Sequence, residues 1–177
     1  MYILTDTYHT AVQNWLSRNE DVSQFPVQPT SEELYNNFNT LGDNKAISDQ
    51  LVFRPSKFRL LFGANSDSEY RCKFKVIKVP GTKFSDNEIK SKVIASVNEY
   101  FDVSNWDFGE TFYYTELSAY IHRKLTGIIS SVVIVPENQS SRFGNLFQIK
   151  STSEELFLST AKVSDVEIVK GLSLIHI

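Results

Sequence analysis

The chain has 177 residues, of which 41% are hydrophobic, 22% charged and 13% aromatic, and its net charge is −3. That length holds one domain or two small ones. The acidic balance argues against general nucleic-acid binding by phosphate neutralisation, and a single Cys leaves neither a disulfide pair nor a Cys-built zinc site. Thirteen Phe, eight Tyr and two Trp supply a sizeable core, with aromatic surface left over for a partner.

Met1-Tyr2-Ile3-Leu4 runs into Thr and Asp without the basic segment of a secretion signal. A first helix is predicted over residues 7–18, where Tyr8, Ala11, Val12, Trp15 and Leu16 share one face and Thr5 or Asp6 caps the start. Pro26 and Pro29 break the chain. Thr30-Ser31-Glu32-Glu33 is a capping box that opens a second helix, with Leu34, Phe38 and Leu41 as its stripe and Gly42 at its end. Ile47, Leu51 and Val52 suggest a short third helix or turn, and Phe53-Arg54-Pro55 and Phe62-Gly63-Ala64-Asn65 read as loop.

From residue 69 to 79 the pattern changes. Tyr70, Cys72, Phe74 and Val76 alternate with Arg71, Lys73 and Lys75, the period of a half-buried strand. A second capping box, Ser85-Asp86-Asn87-Glu88, opens a helix striped by Ile89, Val93, Val97, Tyr100 and Phe101. A loop over 102–109 carries Trp106 and Phe108. Another helix is predicted over 115–125, with Leu117, Ile121 and Leu125 inward and Gly127 after it. The β-branched run 128–135 is a strand, residues 146–150 and 156–159 read as a hairpin about Thr152-Ser153-Glu154, and 166–169 adds a last strand. The run 128–136 is far short of the ~20 apolar residues that span a bilayer.

The expected fold is therefore α+β: a small helical N-terminal region over residues 1–65, then a layered domain over 66–171 with two helices packed on a mostly antiparallel sheet. The last six residues, Leu172-Ser173-Leu174-Ile175-His176-Ile177, match no turn or cap. They resemble the translation of a sequencing-library adapter, so residues 172–177 are set aside as a non-biological tail.

Chemistry-bearing groups do not converge in the sequence. His9 and His122 have no second ligand at helical spacing, and Cys72 falls on the apolar face of its strand. Asp102, Asp107, Glu110 and Glu116 offer the paired acids of a glycosidase, or a solvated loop and helix start. Gly-rich nucleotide loops and Gly-x-Ser-x-Gly are absent. Asn138-Gln139-Ser140 matches the common glycosylation triplet. The cations Arg54, Lys57, Arg59, Arg71, Lys73, Lys75, Lys78 and Lys83 interleave with aromatics. They are open to three readings: the wet side of amphipathic strands, an acidic partner's docking face, or a nucleic-acid face.

One segment carries a resemblance. A helix ends in Tyr100-Phe101. Asn105-Trp106-Asp107-Phe108-Gly109-Glu110 and Thr111-Phe112-Tyr113-Tyr114 follow, then Ala119-Tyr120-Ile121-His122, and Gly127 before the Ile/Val strand. With Leu146-Phe147-Gln148-Ile149 and Glu155-Leu156-Phe157-Leu158-Ser159, this resembles the C-terminal part of baseplate wedge proteins of contractile-tailed, T-even-type bacteriophages, the baseplate J-like family. The resemblance covers residues 84–169, and family members are much longer.

The resemblance implies a non-enzymatic structural subunit of the virion tail baseplate, assembled in the host cytoplasm. Its partners would be other baseplate subunits in an oligomer around the tail tube, with no cofactor, metal, nucleic acid, membrane or small-molecule substrate. The alternative is a tail-associated cell-wall hydrolase using the loop carboxylates. Local physics adds a division of labour. Gly109 suits a turn with positive φ, Phe112 and Tyr114 point inward, and Tyr113 faces out. Trp106, Phe108 and Tyr113 are the interface candidates, because Trp and Tyr are enriched at interface hot spots.

Overall fold

A computed structural model describes residues 1–39, 52–137 and 148–169. Leu41, Gly42, Ile47, Leu51, the Asn138-Gln139-Ser140 triplet, Leu146, Phe147, the tail at 172–177 and the side chain of Phe38 lie outside the described residues. In chain order the elements are β1 (Tyr2–Ile3), α1 (Asp6–Arg18), α2 (Ser31–Asn39), β2 (Arg54–Pro55), β3 (Lys57–Leu61), β4 (Cys72–Lys78) and α3 (Asp86–Tyr100). They continue with β5 (Thr111–Tyr113), α4 (Tyr114–Lys124), β6 (Ile129–Pro136), β7 (Gln148–Lys150), β8 (Glu155–Ser159) and β9 (Val166–Ile168). The fold is α+β.

The chain divides into two compact units, and three separate stretches build the first. It comprises Met1–Arg59, Asp107–Glu110 and Ser151–Leu156; the second holds Leu60–Trp106, Thr111–Lys150 and Phe157–Ile177. The expected boundary at residues 65–66 thus lies a few residues past the first crossover, and two later segments return to the first unit.

In the first unit, α1 starts where Thr5 Oγ1 accepts the Tyr8 N–H at 3.3 Å. It ends on Asn19 in the left-handed region, φ 53°. Tyr8, Val12 and Trp15 form its buried stripe. Trp15 packs edge-on against Phe25 with ring centroids 4.9 Å apart, and its Nε1–H donates to the Asp21 carbonyl at 3.0 Å. The capping box at α2 is formed: Thr30 N–H donates to Glu33 Oε2 at 2.7 Å, and Glu33 N–H donates to Thr30 Oγ1 at 3.2 Å. Beneath it Leu34 is fully buried. Strands β1 and β2 pair in parallel, Tyr2 with Arg54 and Ile3 with Pro55.

The second unit is layered. Its three-stranded sheet has the order β6-β4-β9. Strand β4 runs antiparallel to β6, with Phe74 opposite Ile134 and Lys75 opposite Val133, and parallel to β9, with Phe74 opposite Val166. Cys72, Phe74 and Val76 are buried, as the alternation requires. Helix α3 opens with the Ser85–Glu88 capping box and buries Ile89, Val93 and Val97; α4 buries Leu117 and Ile121. The two helices pack together, α4 on β6 and α3 on β9. A short antiparallel pair, β5 with β7, sets Phe112 opposite Ile149.

An aromatic cluster fills this unit. Phe62, fully buried, meets Phe74 at 5.2 Å, Phe101 at 5.7 Å, Phe112 at 6.0 Å and Tyr114 at 6.2 Å, each edge-to-face. Phe62 holds φ 62°, rare for a bulky residue, and Gly63 follows at φ 48°. Surrounding bonds enforce that turn. Thr160 Oγ1 donates to the Leu61 and Phe62 carbonyls at 3.2 and 3.1 Å. Arg71 donates to the Ala64 and Ser66 carbonyls at 2.9 and 3.1 Å. A Cβ on Gly63 would collide with the Thr160 carbonyl.

Two expectations need correction. Among the described residues the hairpin of 146–150 with 156–159 is not formed: β7 pairs with β5, and β8 pairs with β3. Residues 152–155 do turn, with Thr152 N–H on Glu155 Oε2 at 2.9 Å. But the Ser151 N–H and Oγ both donate to the Glu110 carbonyl, at 3.0 and 2.9 Å, so β7 and β8 leave the turn toward different partners. Phe53-Arg54-Pro55 is also not all loop, since Arg54–Pro55 is strand β2, and the unassigned stretch after it forms β3. Lys57–Leu61 is a strand whose residues are half-buried along its length until Leu61, so it shows no period of two.

Candidate interaction surface

Strand β5 and the start of α4 place three consecutive aromatics in alternating environments. Phe112 is fully buried, Tyr113 is 39% exposed and Tyr114 is 4% exposed. The extended backbone of Tyr113, φ −114° and ψ 125°, turns its neighbours inward and leaves its own ring outside. The outward phenol is thus a consequence of two inward neighbours. Burial holds the Tyr114 hydroxyl well above the ordinary tyrosine range. It also pushes the Cys72 thiol up to about 12, desolvation outweighing a bond with Tyr114, so this cysteine is a protonated thiol at neutral pH.

Trp106, in the same unit, is half-buried and packed on the core. Its indole stacks on Phe101 at 5.5 Å with 10° between planes and meets Phe157 edge-on at 5.1 Å. Its Nε1–H donates to the Tyr100 carbonyl at 2.8 Å. Most of this side chain's recognition capacity is therefore used within the unit.

Phe108 belongs to the first unit, in the Asp107–Glu110 turn. It is half-buried, with its ring 6.1 Å from Tyr2. Gly109 takes φ 79°, and a Cβ there would lie 3.6 Å from Ser153 Cα. Glu110 Oε2 accepts the Asp107 N–H at 3.0 Å, and its carbonyl holds Ser151. Glu110 thus closes this turn through its side chain and ties it to Ser151 through its carbonyl.

The other singled-out groups also have local partners. Asp102 Oδ1 accepts the Ser104 N–H at 2.9 Å. His9 meets Gln13 Nε2 at 3.2 Å, and His122 meets the Ser130 carbonyl at 3.3 Å. Among the described residues no His, Cys, Asp or Glu group is arranged to hold a metal ion, and no helix is long and apolar enough to cross a membrane. Several cations are in ion pairs: Lys57 with Glu154 at 2.8 Å, Arg59 with Glu155 at 2.6 Å, and Lys78 with Asp86 at 2.7 Å. Lys73 lies between Glu137 at 3.2 Å and Asp165 at 2.9 Å.

The β-branched run 128–135 reads as a strand, but without alternation it does not say which face is wet. Val133 is 53% exposed on β6. No protein-family model and no curated protein matches the chain.

Proposed function

We propose that this protein is a structural subunit that works by protein–protein contact, and specifically a wedge subunit of a contractile-tail phage baseplate. Tyr113 carries the contact part of this reading: an exposed phenol at the end of a strand, flanked on both sides by buried aromatics. Such a side chain loses little conformational entropy on binding and offers both ring and hydroxyl to a partner. The baseplate part rests on the resemblance of residues 84–169. In this reading the chain performs no chemistry and binds other baseplate subunits within the virion tail.

Two measurements test it. On a longer stretch of the source genome, tail-tube, sheath and wedge genes are expected to flank this one; unrelated neighbours would overturn the baseplate assignment. Co-expressed with the adjacent wedge proteins, the chain is expected to co-purify, and Tyr113→Ala to weaken that association about tenfold or more with no change in thermal midpoint. Association unaffected by Tyr113→Ala would move the contact elsewhere.

A further inference from the structure

Strand β6, Ile129–Pro136, is the edge of the three-stranded sheet, paired among the described residues only with β4. The register fixes which backbone groups face that edge. Glu137 N–H bonds the Arg71 carbonyl at 2.9 Å. In an antiparallel ladder hydrogen-bonded pairs alternate, so Val135, Val133 and Ser131 bond to Lys73, Lys75 and Ile77. Val132 and Ile134 therefore aim their N–H and C=O groups away from β4, where they meet no partner among the described residues.

Natural sheet edges are usually blunted by charge, proline, bulges or brevity. This one carries no charged residue in Ile-Ser-Ser-Val-Val-Ile-Val-Pro, and Val133 is its most exposed apolar side chain. Its ends are closed: the pairing shifts next to Ile77/Lys78, opposite Ser130, and Pro136 lacks an N–H at the other end. What remains is an uncharged window, 131–135, with Val133 at its centre.

We infer that β6 pairs antiparallel with β6 of a second copy of this chain, about a two-fold axis through Val133. In that register Val132 of one protomer faces Ile134 of the other. Each of the two symmetry-related pairs exchanges both its hydrogen bonds, using the edge groups that meet no partner among the described residues. Val133 meets its own counterpart on the outer face, and Ser131 faces Val135. Without a charge on the strand, two copies meet with no like-charge opposition. The partner is a second copy because the window is self-complementary in both hydrogen bonding and polarity. The inference is independent of the baseplate proposal, since β6 contains none of Trp106, Phe108 and Tyr113.

The test is sedimentation equilibrium of the full chain at low and high micromolar concentration. A reversible monomer–dimer equilibrium is expected. Val133→Lys places two ammonium groups opposite each other and should weaken the dimer about tenfold or more. Val163→Lys, at another exposed valine of the same unit, should leave it unchanged. Circular dichroism of both variants should match the parent, because both sites are already exposed.

Val133→Cys tests the register. A pair without direct hydrogen bonds sits at Cα separations of about 4.5 Å, within disulfide reach. Mild oxidation should therefore yield a covalent dimer, while buried Cys72 stays reduced. A monomer at every concentration, a dimer unaffected by Val133→Lys, or no cross-link through position 133 would each overturn the proposal. Failure here leaves wedge co-purification, and so the functional reading, untouched.

Discussion

Phe62 in the second unit and Glu155 in the first are both well buried, and they are held in different ways. Around Phe62 the neighbours are rings: Phe74, Phe101, Phe112 and Tyr114, with Trp106 and Phe157 beyond. Around Glu155 they are charges and amides: Arg59 at 2.6 Å, Lys57 at 3.7 Å, and the Thr152 N–H at 2.9 Å. The first unit has apolar anchors too, in Val12, Trp15 and Leu34. But three chain segments build it, and placed polar contacts tie the returning ones down. Ser151 bonds Glu110, Lys57 N–H bonds the Glu154 carbonyl at 2.9 Å, and Ser153 bonds Tyr2. Apolar packing is insensitive to pH, whereas an ion-paired turn titrates. The turn at Glu155 should therefore loosen on acidification under conditions that leave the Phe62 cluster packed.

The largest expected effect is at the aromatic cluster. Phe62→Ala removes a fully buried ring and should destabilise the second unit by about 4 kcal/mol, read as a shift in the urea midpoint. Gly63→Ala should follow at about 3 kcal/mol or more, since it adds a backbone collision to an unfavourable φ. Cys72 supplies a direct readout for both variants. Alkylation of this buried thiol should be slow in the parent and accelerate in step with the lost stability. Equal labelling rates would show that the cluster does not govern opening of this unit.

A middle-sized effect belongs to the first unit. Burial alone would raise the Glu155 pKa, but the Thr152 hydrogen bonds and the Arg59 and Lys57 charges together hold it below the ordinary carboxylate value. The ionised form is thus favoured by folding. Its stabilisation is present above the unfolded carboxylate pKa, about 4.3, and is lost as pH falls through the lower folded value. Glu155→Gln should cost about 2 kcal/mol at neutral pH, the scale of hydrogen bonds to a charged group. It should flatten the acid limb of the stability curve and speed amide exchange at Lys57 and Ser151, while α3 stays protected. Uniform exchange across both units would erase the proposed contrast. The smallest effect is Ser85→Ala, about 1 kcal/mol from the loss of the α3 cap, visible in thermal melts and confined to the second unit.

Which parts were legible in the sequence follows from where each signal resides. Helices α1, α2 and α3 announce themselves within a few residues: Thr5, Thr30 with Glu33, and Ser85 with Glu88 supply caps, and the stripes follow at once. Strand β4 alternates cleanly because one face is core and the other water. Strand β3 does not, since both its faces are half-covered. The supposed hairpin failed for a different reason. Its turn is real, but the strand partners, β5 and β3, lie far away in sequence, and adjacency is a poor guide when Ser151 is tied to Glu110. At the candidate surface, alternation correctly placed Phe112, Tyr113 and Tyr114. It had no means of showing that the Trp106 indole would stack on Phe101, or that Val133 would stand at an open edge.

The three-piece construction of the first unit bears on synthesis at the ribosome. Residues 1–59 emerge early, yet the carbonyl that receives Lys57 N–H comes from Glu154, and the hydroxyl that reaches Tyr2 comes from Ser153. The N-terminal helices must therefore wait until residues 151–156 have been made. In that interval Trp15 and Leu34 stand in a half-built unit, and the α1 and α2 caps are the local bonds that keep their helices in register until the last segment arrives.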